Sequence, residues 1–191
     1  EVDALFGVPQ RADYHPEIDS GVHTLMVLQR TASLQLGLPE RYAALLHDLG
    51  KAITPADILP SHYGHDAAGL PLVREVNRRW RVPKACAELA ELVCRWHIML
   101  HSVAQQKPAT VLKTLKKTDA FRRPERFRQA LNVCLADQQG RLGKENSPYP
   151  QYEHWLALLA AAASVNSAAI AAEYAGDRQR ISEAIDRARL A

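Results

Sequence analysis

Leu45-Leu46-His47-Asp48-Leu49-Gly50-Lys51 is the stretch on which the fold turns. Pro39 opens a helix that carries Tyr42, Leu45, Leu46 and Leu49 on one stripe and ends at Gly50. An adjacent imidazole and carboxylate at the end of such an apolar helix, followed by Leu-Gly-Lys, is not explained by packing alone. Buried ionisable groups need a cation or hydrogen-bonding partners, so the pair points to a site inside a helical core.

On either side of this stretch apolar residues recur at helical spacing, and no convincing period-2 segment appears. The spacing predicts a helix from about Ser20 to Leu36, stopped by Gly37 at a position that tolerates positive φ. Residues 51–64, with Pro55, Pro60 and Gly64, form a loop. Helices follow over about His65 to Trp80, bent or delayed at Pro71, then from Pro83 to His101, from Pro108 to near Phe121 and from Pro124 to near Gly143. After Asn146-Ser147-Pro148-Tyr149-Pro150 an alanine-rich helix runs from about Tyr152 to Tyr174, and Gly176-Asp177 separates it from a short basic one. The expected architecture is all-α, with no internal repeat.

Polar groups interrupt several of these apolar faces. His97 shares a stripe with Cys86, Ala90, Val93 and Leu100, and His65 one with Gly69, Val73, Val76 and Trp80. Gly69, one turn after His65, lets a neighbouring backbone come close. Leu112 and Leu115 predict an apolar residue near position 119, where the chain has Asp119. His23 adds an imidazole from the first helix. Four histidines and two carboxylates from five helices thus point to one interior locus, whereas His15, His62, His101 and His154 are read as structural histidines. Nitrogen and oxygen donors without thiolate suit a borderline-to-hard divalent ion such as Mn²⁺, Fe²⁺, Co²⁺, Ni²⁺ or Mg²⁺.

The 191 residues, 47% hydrophobic and 24% charged, are enough for a sizeable core. The three cysteines, Cys86, Cys94 and Cys134, form no Cys-x-x-Cys pair, which argues against a disulfide framework and a thiolate zinc knot and fits a reducing cytoplasm. The start at Glu1 lacks the pattern of a signal peptide and reads as a boundary within a longer protein. The apolar stretch around Trp155 to Ala163 falls short of the roughly 20 residues of a membrane span. Net charge is only +3, but basic residues bunch at Arg78 to Arg81, Lys113 to Lys117 and Arg122 to Arg128, as suits a phosphate-bearing partner or simply solvated helix faces.

The string His47-Asp48-Leu49-Gly50-Lys51 resembles the signature of the HD-domain phosphohydrolase superfamily. Four further stretches resemble the carboxy-terminal half of the multifunctional bacterial tRNA nucleotidyltransferases, the CCA-adding enzymes that carry an HD domain: His15-Pro16-Glu17-Ile18-Asp19-Ser20-Gly21-Val22-His23-Thr24-Leu25, Tyr63-Gly64-His65, Thr118-Asp119-Ala120-Phe121-Arg122-Arg123-Pro124 and Ala136-Asp137-Gln138-Gln139-Gly140-Arg141.

The resemblance implies an HD helical bundle over 16–143, preceded by a linker over 1–15 from an amino-terminal nucleotidyltransferase part and followed by a helical tail over 144–191. It implies His23, His47, Asp48 and Asp119 as metal ligands, and His65 and His97 at a second metal or the phosphate. Asp119 is preferred to Asp137 as the fourth ligand, because it follows His97 in the superfamily order. His47 and Asp48 form the catalytic centre with Lys51, which neutralises charge on the phosphoryl group, while Arg122 and Arg126 hold substrate. The implied activities are 2′,3′-cyclic phosphodiesterase, 2′-nucleotidase and phosphatase, dependent on Ni²⁺, Mg²⁺, Mn²⁺ or Co²⁺ and serving tRNA 3′-end processing and repair. CCA addition is not expected of this chain alone. The implied partners are tRNA or a nucleotide phosphoester in the cytoplasm, with no membrane, and a monomer or weak dimer is expected. The alternatives are a non-catalytic tRNA-binding helical module and an HD nucleotidase acting on another nucleotide.

Overall fold

The computed structural model describes residues 1–174 and 176–190. The fold is all-α: α1 Ser20–Ser33, α2 Leu38–Leu46, α3 His65–Arg79, α4 Lys84–His101, α5 Pro108–Lys117, α6 Pro124–Gln139, α7 Gln151–Ala163, α8 Ser167–Glu173 and α9 Arg178–Leu190. The chain forms two compact units, one of residues 1–101 with 128–149, the other of residues 102–127 with 150–191.

In the first unit α2 packs on α1 and α4, and α3 packs on α4 and on the 3-10 turn Leu49–Ile53 that follows the His-Asp pair. The core comprises Val27, Ala43, Ala44, Leu46, Leu49, Val73, Leu89, Ala90, Val93 and Leu100. Leu46, Leu49, Val73, Ala90, Val93 and Leu100 come from the stripes read from the sequence, whereas Tyr42 and Leu45 are half-buried and Trp80 is exposed. Residues 1–15 pack onto this unit through Leu5 and Gln10, both buried. The three cysteines are free and buried, and behave as small hydrophobes.

Two glycines position the site. A Cβ on Gly50 would stand 2.0 Å from the His65 carbonyl oxygen and 2.7 Å from the Gly69 nitrogen, and one on Gly69 would stand 2.9 Å from the Gly50 nitrogen. The turn after Asp48 therefore lies backbone to backbone on the first turns of α3. Gly50, expected as a helix stop, is needed for this approach, because α2 already ends at Leu46.

The helix ends differ from expectation in an instructive way. α1 stops at Ser33, and Gln35, not Gly37, takes the left-handed conformation with φ 55°. Its N–H bonds to the Ala32 carbonyl and that of Leu36 to Thr31, which is the Schellman arrangement. Arg81, with φ 47°, ends α3 in the same way through Val82 to Asn77. α3 begins at His65 and continues through Pro71 without a break.

In the second unit α9 packs on α5, α7 and α8. Phe127 meets Trp155 edge-on, the Arg189 guanidinium lies 4.0 Å over the Phe121 ring, and Lys116 pairs with Asp186 at 2.6 Å. The single alanine-rich helix expected over 152–174 is two helices, parted at Ser164 to Asn166, where the Asn166 side chain accepts from the Ala169 N–H at 3.0 Å and caps α8. The apolar run Gln151–Glu173 is longer than the stretch read from the sequence and, by length and composition, long enough to cross a membrane.

Candidate metal centre

The site lies wholly in the first unit. α1 begins at the N-cap Asp19, whose carboxylate accepts from the N–H groups of Val22 at 2.9 Å and Gly7 at 2.6 Å, so His23 is fixed on the first turn. α2 ends with His47 at its C-cap and Asp48 one residue beyond. His65 opens α3, His97 and His101 end α4, and Asp137 lies in the last turn of α6.

Asp48 is the hub. Its Oδ2 lies 2.6 Å from Lys51 Nζ, 3.2 Å from His47 Nε2 and 3.9 Å from His23 Nε2, and its Oδ1 lies 3.1 Å from His65 Nε2 and 3.5 Å from His97 Nε2. His23 Nε2 is also 3.1 Å from Asp137 Oδ1. Among the described residues three groups of ligand atoms converge, His23, His47 and Asp137 in one, Asp48, His65 and His97 in another, both around Asp48, and His15, Glu17 and His23 in the third.

The imidazole tautomers follow from the partners of the outer nitrogens. His47 Nδ1 faces the Ala44 carbonyl at 2.7 Å, His65 Nδ1 the His62 carbonyl at 2.7 Å and His97 Nδ1 the Val93 carbonyl at 3.0 Å. A carbonyl only accepts, so each Nδ1 carries a hydrogen, and each ring when neutral turns a bare Nε2 inward. Glu17 Oε1 lies 2.8 Å from His23 Nδ1, but this nitrogen makes no hydrogen bond, and the ring's bonded nitrogen is Nε2, toward Asp137 Oδ1. Backbone carbonyls in this outer role are one of the ways proteins orient metal-binding histidines.

Without a cation the arrangement is unfavourable. The bare Nε2 atoms of His65 and His97 stand 3.2 Å apart, and His47 Nε2 and Asp48 Oδ1 are buried with no hydrogen-bond partner. The donor set fits a divalent ion with nitrogen and oxygen ligands; His23, His47, Asp48 and Asp137 are the residues to hold it, with Asp48, His65 and His97 available to a second.

The charges around the centre are consistent with this. Burial raises the cost of ionising Asp48, but His47 and Lys51 outweigh it and hold the carboxyl well below the usual range. Burial likewise opposes ionisation of Asp137, and Arg141 and His101 overcome it. Burial pushes His97 down to about 4, so its ring is neutral and free to ligate.

Asp119 is a correction. α5 ends at Lys117, and Asp119, with φ 59°, lies beyond it rather than on its stripe. Its N–H bonds to the Lys116 carbonyl at 3.1 Å and that of Ala120 to Leu115 at 2.9 Å, a third Schellman ending. Asp takes the left-handed conformation more readily than most residues, and its carboxylate is engaged by Arg122 at 2.6 Å and Arg126 at 3.8 Å, all within the second unit. The position read as fourth ligand is thus a helix terminator, and Asp137 stands among the candidate ligands. Arg126 also donates to the Thr118 carbonyl at 3.2 Å, so the two arginines read as substrate-binding brace this helix end.

Sequence reasoning missed an outer layer. His101 Nε2 donates to Asp137 Oδ2 at 2.7 Å, while its Nδ1 lies 3.0 Å from the Tyr149 hydroxyl. Glu17 joins His15 and His23, and Gln10 Oε1 accepts from Lys51 Nζ at 2.5 Å. The signal for His101 was present, four residues after His97 and hence on the same face of α4. Gln10 carried none.

A family model described as HD domain matches residues 21–137. The chain is 70% identical over its whole length to a "Multifunctional CCA protein" of Neisseria meningitidis serogroup B, of which it covers 46%. Proteins of the same name from Dechloromonas aromatica and Ralstonia nicotianae are 53% and 50% identical, again over the whole chain, with 46% and 44% of their lengths covered. No solved structure matches. The chain spans about half the length of the curated relatives it matches. The model match covers more than half of the chain and runs from the first turn of α1 to Asp137, taking in His23, His47, Asp48, His65 and His97; the chain belongs to the HD domain family.

Proposed function

We propose that this chain is a metal-dependent phosphohydrolase acting on 2′,3′-cyclic and 2′-phosphoesters, and on phosphomonoesters more generally, as the HD part of a multifunctional CCA-type protein serving tRNA 3′ ends in the cytoplasm. The observation that carries the reading is Asp48, whose two carboxylate oxygens are shared between two convergent groups of bare imidazole nitrogens. The likeness to the multifunctional CCA proteins supports the choice of an RNA-derived ester.

A divalent ion held there supplies a water whose pKa falls to about 7 and polarises a phosphoryl oxygen. The residues of the chain do the rest. The carbonyls of Ala44, His62 and Val93 keep the ligand nitrogens of His47, His65 and His97 aimed inward. His101 holds Asp137 in place. Lys51 bonds Asp48 and Gln10 and keeps one of its three N–H donors for a phosphoryl oxygen.

The test is a panel of 2′,3′-cyclic nucleotides, 2′-nucleotides and nucleoside triphosphates assayed with Ni²⁺, Mg²⁺, Mn²⁺ and Co²⁺ after chelation. Metal-dependent turnover of the cyclic and 2′-esters, abolished by Asp48→Ala with the helical circular dichroism retained, is the expected result. Selective turnover of a triphosphate, or tRNA binding with neither bound metal nor hydrolysis, would overturn the reading.

A further inference from the structure

Beside Asp48 the first unit opens into a cleft of about 420 Å³, lined among others by Gln10, Tyr14, Lys51, His62, Tyr63 and His65. One wall is the segment 10–15, the other the loop 60–65. His62 fastens them together, its Nε2 donating to the Pro9 carbonyl at 3.0 Å and its Nδ1 accepting from the Thr54 hydroxyl at 2.8 Å.

Two features of this cleft are unused by the metal centre. Gln10 is 3% exposed, and while its Oε1 is taken by Lys51, its Nε2 is buried without a partner. An unmade hydrogen bond from a buried amide is costly, so a bound acceptor is expected there. Tyr14 and Tyr63, 58% and 84% exposed, stand as large aromatic side chains at the mouth, with the Arg11 guanidinium 5.1 Å from the Tyr14 ring centroid. Exposed aromatic faces next to cationic groups are the usual platforms on which unpaired bases stack.

We infer that this cleft is the nucleobase seat of the site: Tyr14 and Tyr63 stack the unpaired base of a nucleotide whose phosphoester lies at Asp48, and Gln10 Nε2 donates to a phosphoryl oxygen. The inference rests on the phosphohydrolase reading and adds how the substrate is recognised. Stacking uses the face of a base and not its edges, so recognition of a nucleotide is general and tolerant of base identity.

The experiment compares a nucleoside 2′,3′-cyclic phosphate with 1-O-methylribose 2′,3′-cyclic phosphate, the same ester without a base. Wild type should prefer the nucleotide, and Tyr14→Ala and Tyr63→Ala should each lower that preference by about 5- to 100-fold, through KM rather than kcat. Tyr→Phe at either position should restore it, since the ring and not the hydroxyl does the stacking. An unchanged preference in both alanine variants would overturn the inference. If wild type hydrolyses neither ester with any metal, the phosphohydrolase reading fails by itself. Calorimetric binding of 2′-AMP against ribose 2-phosphate then decides about the cleft, with a preference lost in the variants supporting the seat and no preference in wild type refuting it.

Discussion

Asp137→Asn and Asp119→Asn separate the two carboxylates that compete for the fourth ligand position. Asp137 is buried and stands 3.1 Å from His23 Nε2, 2.7 Å from His101 Nε2 and 3.6 Å from Arg141 Nη2. Asparagine keeps the volume and one acceptor for His101 but removes the anion from between the candidate ligand His23 and two further donors. Loss of partners that merely orient ligands costs 10–100-fold in metal affinity, so removing an anionic ligand should cost at least about 100-fold, with a comparable loss of turnover at limiting metal. The metal-free protein should lose roughly 1–3 kcal/mol, the cost of leaving buried donors incompletely paired. Asp119→Asn should do little, because asparagine also tolerates the left-handed conformation at φ 59° and the Arg122 partner is exposed and screened. Metal content by mass spectrometry after dialysis against buffered Mn²⁺ or Ni²⁺, with urea unfolding alongside, reads both variants. Loss of metal in the Asp119 variant, with stoichiometric metal kept in the Asp137 variant, would refute the assignment.

Gly50→Ala should destabilise the fold by roughly 3 kcal/mol or more, since the added Cβ would stand 2.0 Å from a backbone carbonyl and neither partner is a flexible side chain; a urea midpoint matching wild type would contradict the packing described. Acidification should weaken the metal-free protein. Burial pushes His15 and His97 down to about 4, so between pH 6.5 and 4 the unfolded chain takes up protons that the folded one refuses, and stability falls with pH by up to roughly 3 kcal/mol for each. Asp48 and Asp137, with lowered values, continue the loss below the ordinary carboxylate range, whereas His47, raised by Asp48, opposes it. Urea midpoints from pH 7 to 4.5 in a chelator should fall, and a constant or rising midpoint would show that these rings are not buried neutral.

The helical architecture was legible because prolines and apolar stripes punctuate it. Pro39, Pro108 and Pro124 all stand within the first two residues of a helix, and the stripe through Val93 does carry His97 into the core, while His65, on the stripe through Val73, is half-buried at its edge. What sequence could not supply was where helices stop when glycine is absent. Gln35, Arg81 and Asp119 each end a helix in the left-handed conformation, held by the same pair of backbone bonds, and nothing in the residue types at 35 or 81 announces it. Asp119 misled for that reason: continuing α5 by two residues places its carboxylate on the apolar stripe, while stopping at Lys117 removes it. Asp137 shows the converse. It lies inside α6, where periodicity holds, and stands seven residues after the buried Ala130, on the inward face. The break at Ser164 to Asn166 was hidden because alanine on both sides favours helix and only Asn166, as a cap, distinguishes one helix from two.

The division of labour among the histidines comes from backbone geometry more than from residue type. A histidine near a helix end can donate Nδ1–H to a carbonyl three or four residues earlier, as His47 does to Ala44, His65 to His62 and His97 to Val93, and this fixes a bare Nε2 toward the interior. His101, one turn beyond His97 on the same helix, has the Tyr149 hydroxyl at its Nδ1 instead of a carbonyl. A hydroxyl can donate, so the proton of this ring moves to Nε2, where Asp137 accepts it. The same side chain thus has a lone pair available for a cation at position 97 and gives a hydrogen to a carboxylate at position 101. The second use serves the first, because a carboxylate already bonded through Oδ2 is held with Oδ1 toward His23 and the metal position.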